Sequence, residues 1–101
     1  MKQHPIHQLN KAFDNRARLG IVSALRARKD VTFNELKGLL ELTDGNLATH
    51  LQALEKVDYI VVKKEFAGRK PKTSYTLTRK GKIAFDKHIE ALASIINTSG
   101  L

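Results

Sequence analysis

Leu47, Leu51 and Leu54 recur at i, i+4 and i+7, a spacing that predicts a helix with one apolar seam. Turning that seam inward leaves Gly45, Asn46, Thr49, His50 and Ala53 outward, and Thr43 is a good N-cap for the segment. Upstream, Phe33, Leu36, Leu39 and Leu40 predict the core face of another helix ending near Glu41. Thr32 and Glu35 stand where a capping box would open it, each side chain reaching the other's backbone N–H. Two helices separated by a few residues make a helix-turn-helix. Closer to the start, Pro5 can open a short amphipathic helix with Ile6, Leu9 and Phe13 on one stripe. Asp14 or Asn15 can cap a further helix running to about Arg28, with Leu19, Ile21, Val22 and Leu25 buried. Asp30 and Val31 predict a turn or a very short extended piece.

After Asp58 the pattern changes. Tyr59 to Val62 is rich in strand formers, Thr73 to Leu77 alternates, and Gly68 and Pro71 punctuate the connection between them. Thr78 can then cap a last helix in which Phe85, Ile89, Leu92 and Ile96 form a stripe widened by Ile83, Ala91 and Ile95. From Asn97 onward the chain is expected to fray. The pattern therefore predicts a mainly α fold with a small β-hairpin, and 101 residues suit a single domain over 1–101.

Charge narrows the range of partners. The formal net charge is +8, which favours polyanions, and residues 56–82 carry nine basic side chains against only Asp58 and Glu65. Seven of the eight net charges thus fall in one segment, a localised footprint. There is no cysteine, so thiolate metal sites, cysteine nucleophiles and disulfides are all excluded. Without a secretory-type apolar run or a stretch long enough to span a bilayer, a soluble cytoplasmic protein with no membrane partner is the expectation. No Gly-rich phosphate loop or acid pair supports catalysis, so an enzyme and a cofactor are not expected.

An exposed helix narrow enough for the major groove, followed by a basic hairpin around residues 67–72, is a surface suited to double-stranded DNA. The order of elements is that of a winged helix-turn-helix. The chain also resembles the small MarR/ArsR-like winged-helix transcriptional regulators of prokaryotes over roughly Leu9 to Ile96. The likeness is carried by Phe13 to Ile21, by Leu42 to Leu51 with Leu54 and Glu55, and by Tyr75 to Gly81. It implies a recognition helix at about 44–57, a wing at about 60–77 with its tip at 67–72, and a C-terminal helix at about 79–96. One departure is Glu41, where the turn between the two helices often holds glycine.

Within that frame Asn46 can read adenine bidentately, Thr49 and His50 can meet a base edge or phosphate, and Gly45 permits close approach to the backbone. Capping or plain surface roles are the alternative for these residues. Arg69, Lys70 and Lys72 are expected to hold phosphates or enter a minor groove. Arg16 and Arg18 can grip phosphates from the flank or pair with Glu35, Glu41 or Glu55. Asp44 is assigned to the helix N-terminus, where the macrodipole favours it.

Some ArsR-type proteins bind zinc on the last helix, and Asp86 and His88 match the first half of that ligand set. Ser99 stands where the second half would begin, so no metal is expected and His88 is read as an interface or surface residue. The last helix is too apolar for the edge of a small domain. A homodimer is therefore expected, buried through Ile6, Leu9, Phe13, Phe85, Ile89, Leu92 and Ile96. The function expected is a dimeric, sequence-specific regulator on a pseudo-palindromic operator, with a protein-interaction or RNA-binding module as the alternative.

Overall fold

The computed structural model describes residues 4–99. Four helices and three strands follow in the order α1 (Arg16–Ala27), β1 (Val31–Thr32), α2 (Phe33–Leu40), α3 (Asp44–Lys56), β2 (Ile60–Ala67), β3 (Lys70–Leu77) and α4 (Arg79–Ser99). This is a winged helix-turn-helix. Two 3-10 turns, Pro5–Gln8 and Lys11–Phe13, precede it.

Each helix starts where a side chain can satisfy free backbone donors. Asn15 accepts from the N–H groups of Ala17 and Arg18 to open α1. At α2 the capping box is complete: Glu35 N–H donates to the Thr32 hydroxyl and Thr32 N–H donates to the Glu35 carboxylate. Arg28 also bonds that carboxylate and, as the largest cause, holds Glu35 below the usual carboxylate range. The α2–α3 turn closes through Glu41, whose left-handed backbone (φ 53°) lets Leu42 N–H reach the Lys37 carbonyl. Glutamate therefore occupies the conformation that glycine adopts most easily.

The core draws on every element. Ile21, Val22, Leu36, Leu47, Leu51, Leu54, Val31 and Ile60 are fully buried, with Phe13 and Phe85 closing one end. The sheet order is β1-β3-β2, all antiparallel, with Val31 opposite Tyr75 and Ile60 opposite Leu77. A glycine at 81 is required by close approach, since a Cβ there would lie 2.2 Å from the Tyr59 carbonyl oxygen. That contact seats the first turn of α4 on the root of β2.

Several sequence expectations are corrected. The first segment is not one amphipathic helix: Leu9 is extended, and Asn10 caps the second 3-10 turn instead of continuing the first. Of the turn or very short extended piece expected at Asp30 and Val31, the extended form is found, since Val31 and Thr32 pair with β3 as a third strand. Leu39 is 63% exposed, and Leu36 alone of α2 is fully buried. The last helix continues past Ile96 to Ser99; Gly100 and Leu101, expected to fray, lie outside the described residues.

His88, expected as an interface or surface residue, is interior. It is buried against Phe13, its Nδ1 accepting the Asn10 N–H at 3.0 Å. Burial lowers its pKa, opposed by the Asp14 carboxylate, so the neutral ring carries its proton on Nε2. Asn10 in turn donates to the Tyr59 hydroxyl at 2.9 Å, and these bonds fasten the N-terminal segment to both α4 and the wing root.

Candidate nucleic-acid interface

The helix α3 is held by its buried leucines and by Thr43, whose hydroxyl accepts the Asn46 N–H at 3.2 Å. Asp44 sits in the first turn as expected, 2.8 Å from Lys37 Nζ, so an ion pair to α2 adds to its favourable place at the helix N-terminus. The outward face carries Gly45, Asn46, Thr49 and Gln52, all exposed. A Cβ at Gly45 would meet open space, so nothing inside the protomer demands glycine there. Thr49 donates its hydroxyl to the Gly45 carbonyl at 2.9 Å, which leaves the oxygen able to accept. Among the described residues, the side-chain amides of Asn46 and Gln52 have no hydrogen-bond partner within the chain.

Gln52 was missed in the sequence, although its spacing of i+7 from Gly45 and i+3 from Thr49 places it on the same face. His50 and Arg18, expected as separate contacts, are brought together. Arg18 Nε donates to His50 Nδ1 at 3.3 Å, tying α1 to α3 and leaving both half-buried. Arg16 is exposed in the first turn of α1 and borders a groove with Leu39, Glu41, Leu42 and His50. Among the described residues neither arginine makes the ion pair to Glu35, Glu41 or Glu55 that was its alternative.

The wing is longer and its loop shorter than the pattern predicted. Strands β2 and β3 pair from Ile60 opposite Leu77 out to Ala67 opposite Lys70, leaving a two-residue turn of Gly68 and Arg69. Gly68 has φ +70°, and a positive φ at the first of two loop positions is the pattern of a type II′ turn. Lys70 and Lys72 therefore belong to β3, on one face of the ribbon, while Arg69 alone of the three occupies the tip. All three are exposed, and none forms a salt bridge among the described residues.

The basic segment 56–82 does not form one patch. Strand β3 separates the wing tip from Arg79, Lys80 and Lys82 by about 24 Å at ordinary strand rise. Lys80 lies 5.8 Å over the Tyr59 ring, and Arg79 and Lys82 border a groove with the C-terminal end of α1. The cations of the outer wing are thus Lys64, Arg69, Lys70 and Lys72. Among the described residues no group of three or more histidines, cysteines and carboxylates is arranged to hold a metal, and no helix is long and apolar enough to cross a membrane.

The class defined by this fold is the winged-helix DNA-binding regulator. The sequence matches the family described as winged helix DNA-binding domain over residues 17–96, and the chain belongs to that family. It is similar to an uncharacterised protein of Methanocaldococcus jannaschii, 38% identical over 79 residues that cover 78% of this chain and 86% of the relative. The solved structure of a transcriptional regulator homologue from Pyrococcus horikoshii OT3 superposes with a TM-score of 0.88 at 28% identity, covering 98% of this chain and 100% of that one. HlyU from Vibrio cholerae gives a TM-score of 0.64 at 28% identity over 75% of this chain and 78% of its own. These findings agree with the resemblance to small MarR/ArsR-like regulators.

Proposed function

We propose that this chain is a sequence-specific double-stranded DNA-binding transcriptional regulator that acts as a homodimer on a pseudo-palindromic operator. The observation that carries the reading is the outward face of α3: Gly45, Asn46, Thr49 and Gln52 stand exposed, and among the described residues the amides of Asn46 and Gln52 have no partner within the chain and the wing cations Arg69, Lys70 and Lys72 form no ion pair. Asn46 and Gln52 are the base readers, since a carboxamide can bond both N6 and N7 of adenine. Arg69, Lys70 and Lys72 hold phosphates along the flank, joined by Arg16. Arg18 orients His50, so the pair acts as one unit at the edge of the groove.

The dimer rests on α4. Ile89, Leu92 and Ile96 are 36–72% exposed, and Ile6 is exposed nearby. Two of the residues expected there do not serve, because Phe13 and Phe85 stack edge-to-face at 5.7 Å inside the protomer's own core. The interface therefore comprises Ile6, Leu9, Ile89, Leu92 and Ile96. The shape agrees: the radius of gyration is 15.5 Å, where a compact chain of this length would have about 13 Å, and the long axis is 59 Å. Two recognition helices spaced about 34 Å apart would enter successive major grooves.

Selection of bound duplexes from a random-sequence library tests the reading, with sedimentation equilibrium on the same preparation. An inverted repeat whose half-sites lie about 10 base pairs apart, bound by a dimer, is the expected result. Recovery of no enriched duplex, or a strict monomer at micromolar concentration, would contradict it.

A further inference from the structure

The first isoleucine of α4 is left open even by the proposed dimer. Ile83 is 46% exposed, and at about 100° per residue it stands on the opposite side of the helix from Leu92. A second copy seated on Ile89, Leu92 and Ile96 therefore does not cover it. Ile83 lines a groove of about 510 Å³ between the N-terminal segment, the wing root and the first turns of α4, with Leu9 and Tyr59 beside it. Of these, Leu9 alone is shared with the dimer face.

The groove has a cationic rim and a fixed floor. Lys11, Lys80 and Lys87 border it, all exposed; among the described residues no carboxylate lines it, and none of the three lysines forms a salt bridge. Lys80, Ile83 and Lys87 stand at i, i+3 and i+7, one stripe of α4 in which the two lysines are about 10.5 Å apart along the axis. Tyr59 is held in place by the Asn10 amide, which donates to its hydroxyl at 2.9 Å, and Lys80 Nζ lies 5.8 Å over its ring. The cationic run is short. Asp86 is engaged by Arg26 at 3.0 Å, and Glu90, exposed one turn beyond Lys87, ends the run.

We infer that this groove docks an acidic amphipathic helix of a partner protein, with an apolar side chain seated on Ile83 and Tyr59 and carboxylates one heptad apart meeting Lys80 and Lys87. The charge of the rim selects an anion, and its spacing selects the form. Ammonium groups two helical turns apart do not close on a single small carboxylate or phosphate. A second helix repeats at that same interval, so acidic residues at i and i+7 with an apolar residue at i+3 or i+4 mirror the stripe on α4. A duplex carries one phosphate charge per about 1.7 Å of axis and would run past the lysines onto Glu90, whereas a short helix ends before it. The groove also lies at the wing root, about 24 Å of strand away from the tip, so DNA on α3 and a protein here can be bound together.

The test is selection from a displayed library of random peptides of about 20 residues, long enough to form a helix once docked, with the full-length chain as bait. Peptides with acidic residues at i and i+7 around an apolar one are the expected product. A labelled synthetic copy of an enriched peptide is then titrated by fluorescence anisotropy. Lys80→Ala combined with Lys87→Ala should weaken its binding about tenfold and flatten the salt dependence, while Ile83→Ser should weaken it by a similar factor with the salt dependence unchanged. All three side chains are exposed, so thermal melting of both variants should match the parent. Saturating duplex from the random-sequence selection should leave the peptide bound. Enriched peptides without carboxylates, no enrichment, equal binding by the double variant, or displacement of the peptide by duplex would each overturn the docking site. A parent chain that binds the peptide and no duplex would overturn the DNA-binding reading alone.

Discussion

Helices α3 and α4 are both amphipathic, and they use their apolar faces in opposite ways. In α3 every seam leucine is 0–1% exposed, so its apolar surface is consumed inside the protomer and only polar chemistry faces out. In α4 only Phe85 and Ala91 among the apolar stripe are buried, while Ile83, Ile89, Leu92 and Ile96 stay open. Thirteen residues of α3 fit across the small body; twenty-one residues of α4, about 32 Å of helix, extend past it. Periodicity identifies an apolar face in either case. Whether the protomer or a second copy covers it depends on length and on what the rest of the chain has left to offer.

The largest expected effect comes from breaking the buried seam. Leu51→Ala should cost about 3 to 5 kcal/mol of folding stability and lower the melting temperature at any protein concentration. Ile96→Ser on α4 should instead leave the protomer folded and raise the dimer dissociation constant, read by sedimentation equilibrium. A fold that collapses with Ile96→Ser would erase the contrast between the helices. Gly81→Ala comes next: the new methyl group must push α4 off the Tyr59 carbonyl, at a cost of about 2 to 3 kcal/mol in denaturant unfolding.

On the outward face of α3, Asn46→Ala should lose about 1 to 3 kcal/mol of discrimination at one base pair, whereas Arg69→Ala should weaken binding to all sequences alike. Measured losses for Asn46→Ala that are equal on selected and scrambled DNA would remove it as a reader.

The pattern of leucines and the caps at Thr32 and Thr43 made α2 and α3 readable, because those forces are local. What escaped was decided at long range. His88 is interior because the N–H of Asn10, seventy-eight residues earlier, meets its ring. Lys70, Pro71 and Lys72 have poor strand propensity, and the register of the two-residue turn carries them into β3. The charge count along the sequence could not show that β3 would carry Arg79, Lys80 and Lys82 to the far end of the wing. Gln52, by contrast, was within reach of the same spacing argument that found Thr49.

Two smaller effects sharpen the account of what holds α4 and the turn. His88 has a folded pKa below its ordinary 6.5, so the unfolded chain binds the proton more readily. Its contribution to stability is complete above about pH 6.5 and declines as the pH falls toward the lowered value. Denaturant midpoints measured from pH 8 to pH 5 should follow that course, and His88→Gln should flatten it. Glu41→Gly relieves a left-handed backbone at the α2–α3 turn and should stabilise by about 0.5 to 1 kcal/mol, visible as a small rise in melting temperature.

The central claim is that α3 and the wing together read duplex DNA. Anisotropy titration of the parent chain and of Asn46→Ala on selected and scrambled duplexes, across a salt series, tests it most directly. The account predicts binding that weakens steeply with salt, a preference for the selected duplex of at least about a thousandfold, and a sharp loss of that preference in Asn46→Ala. Binding that is insensitive to salt and equal on both duplexes would contradict it.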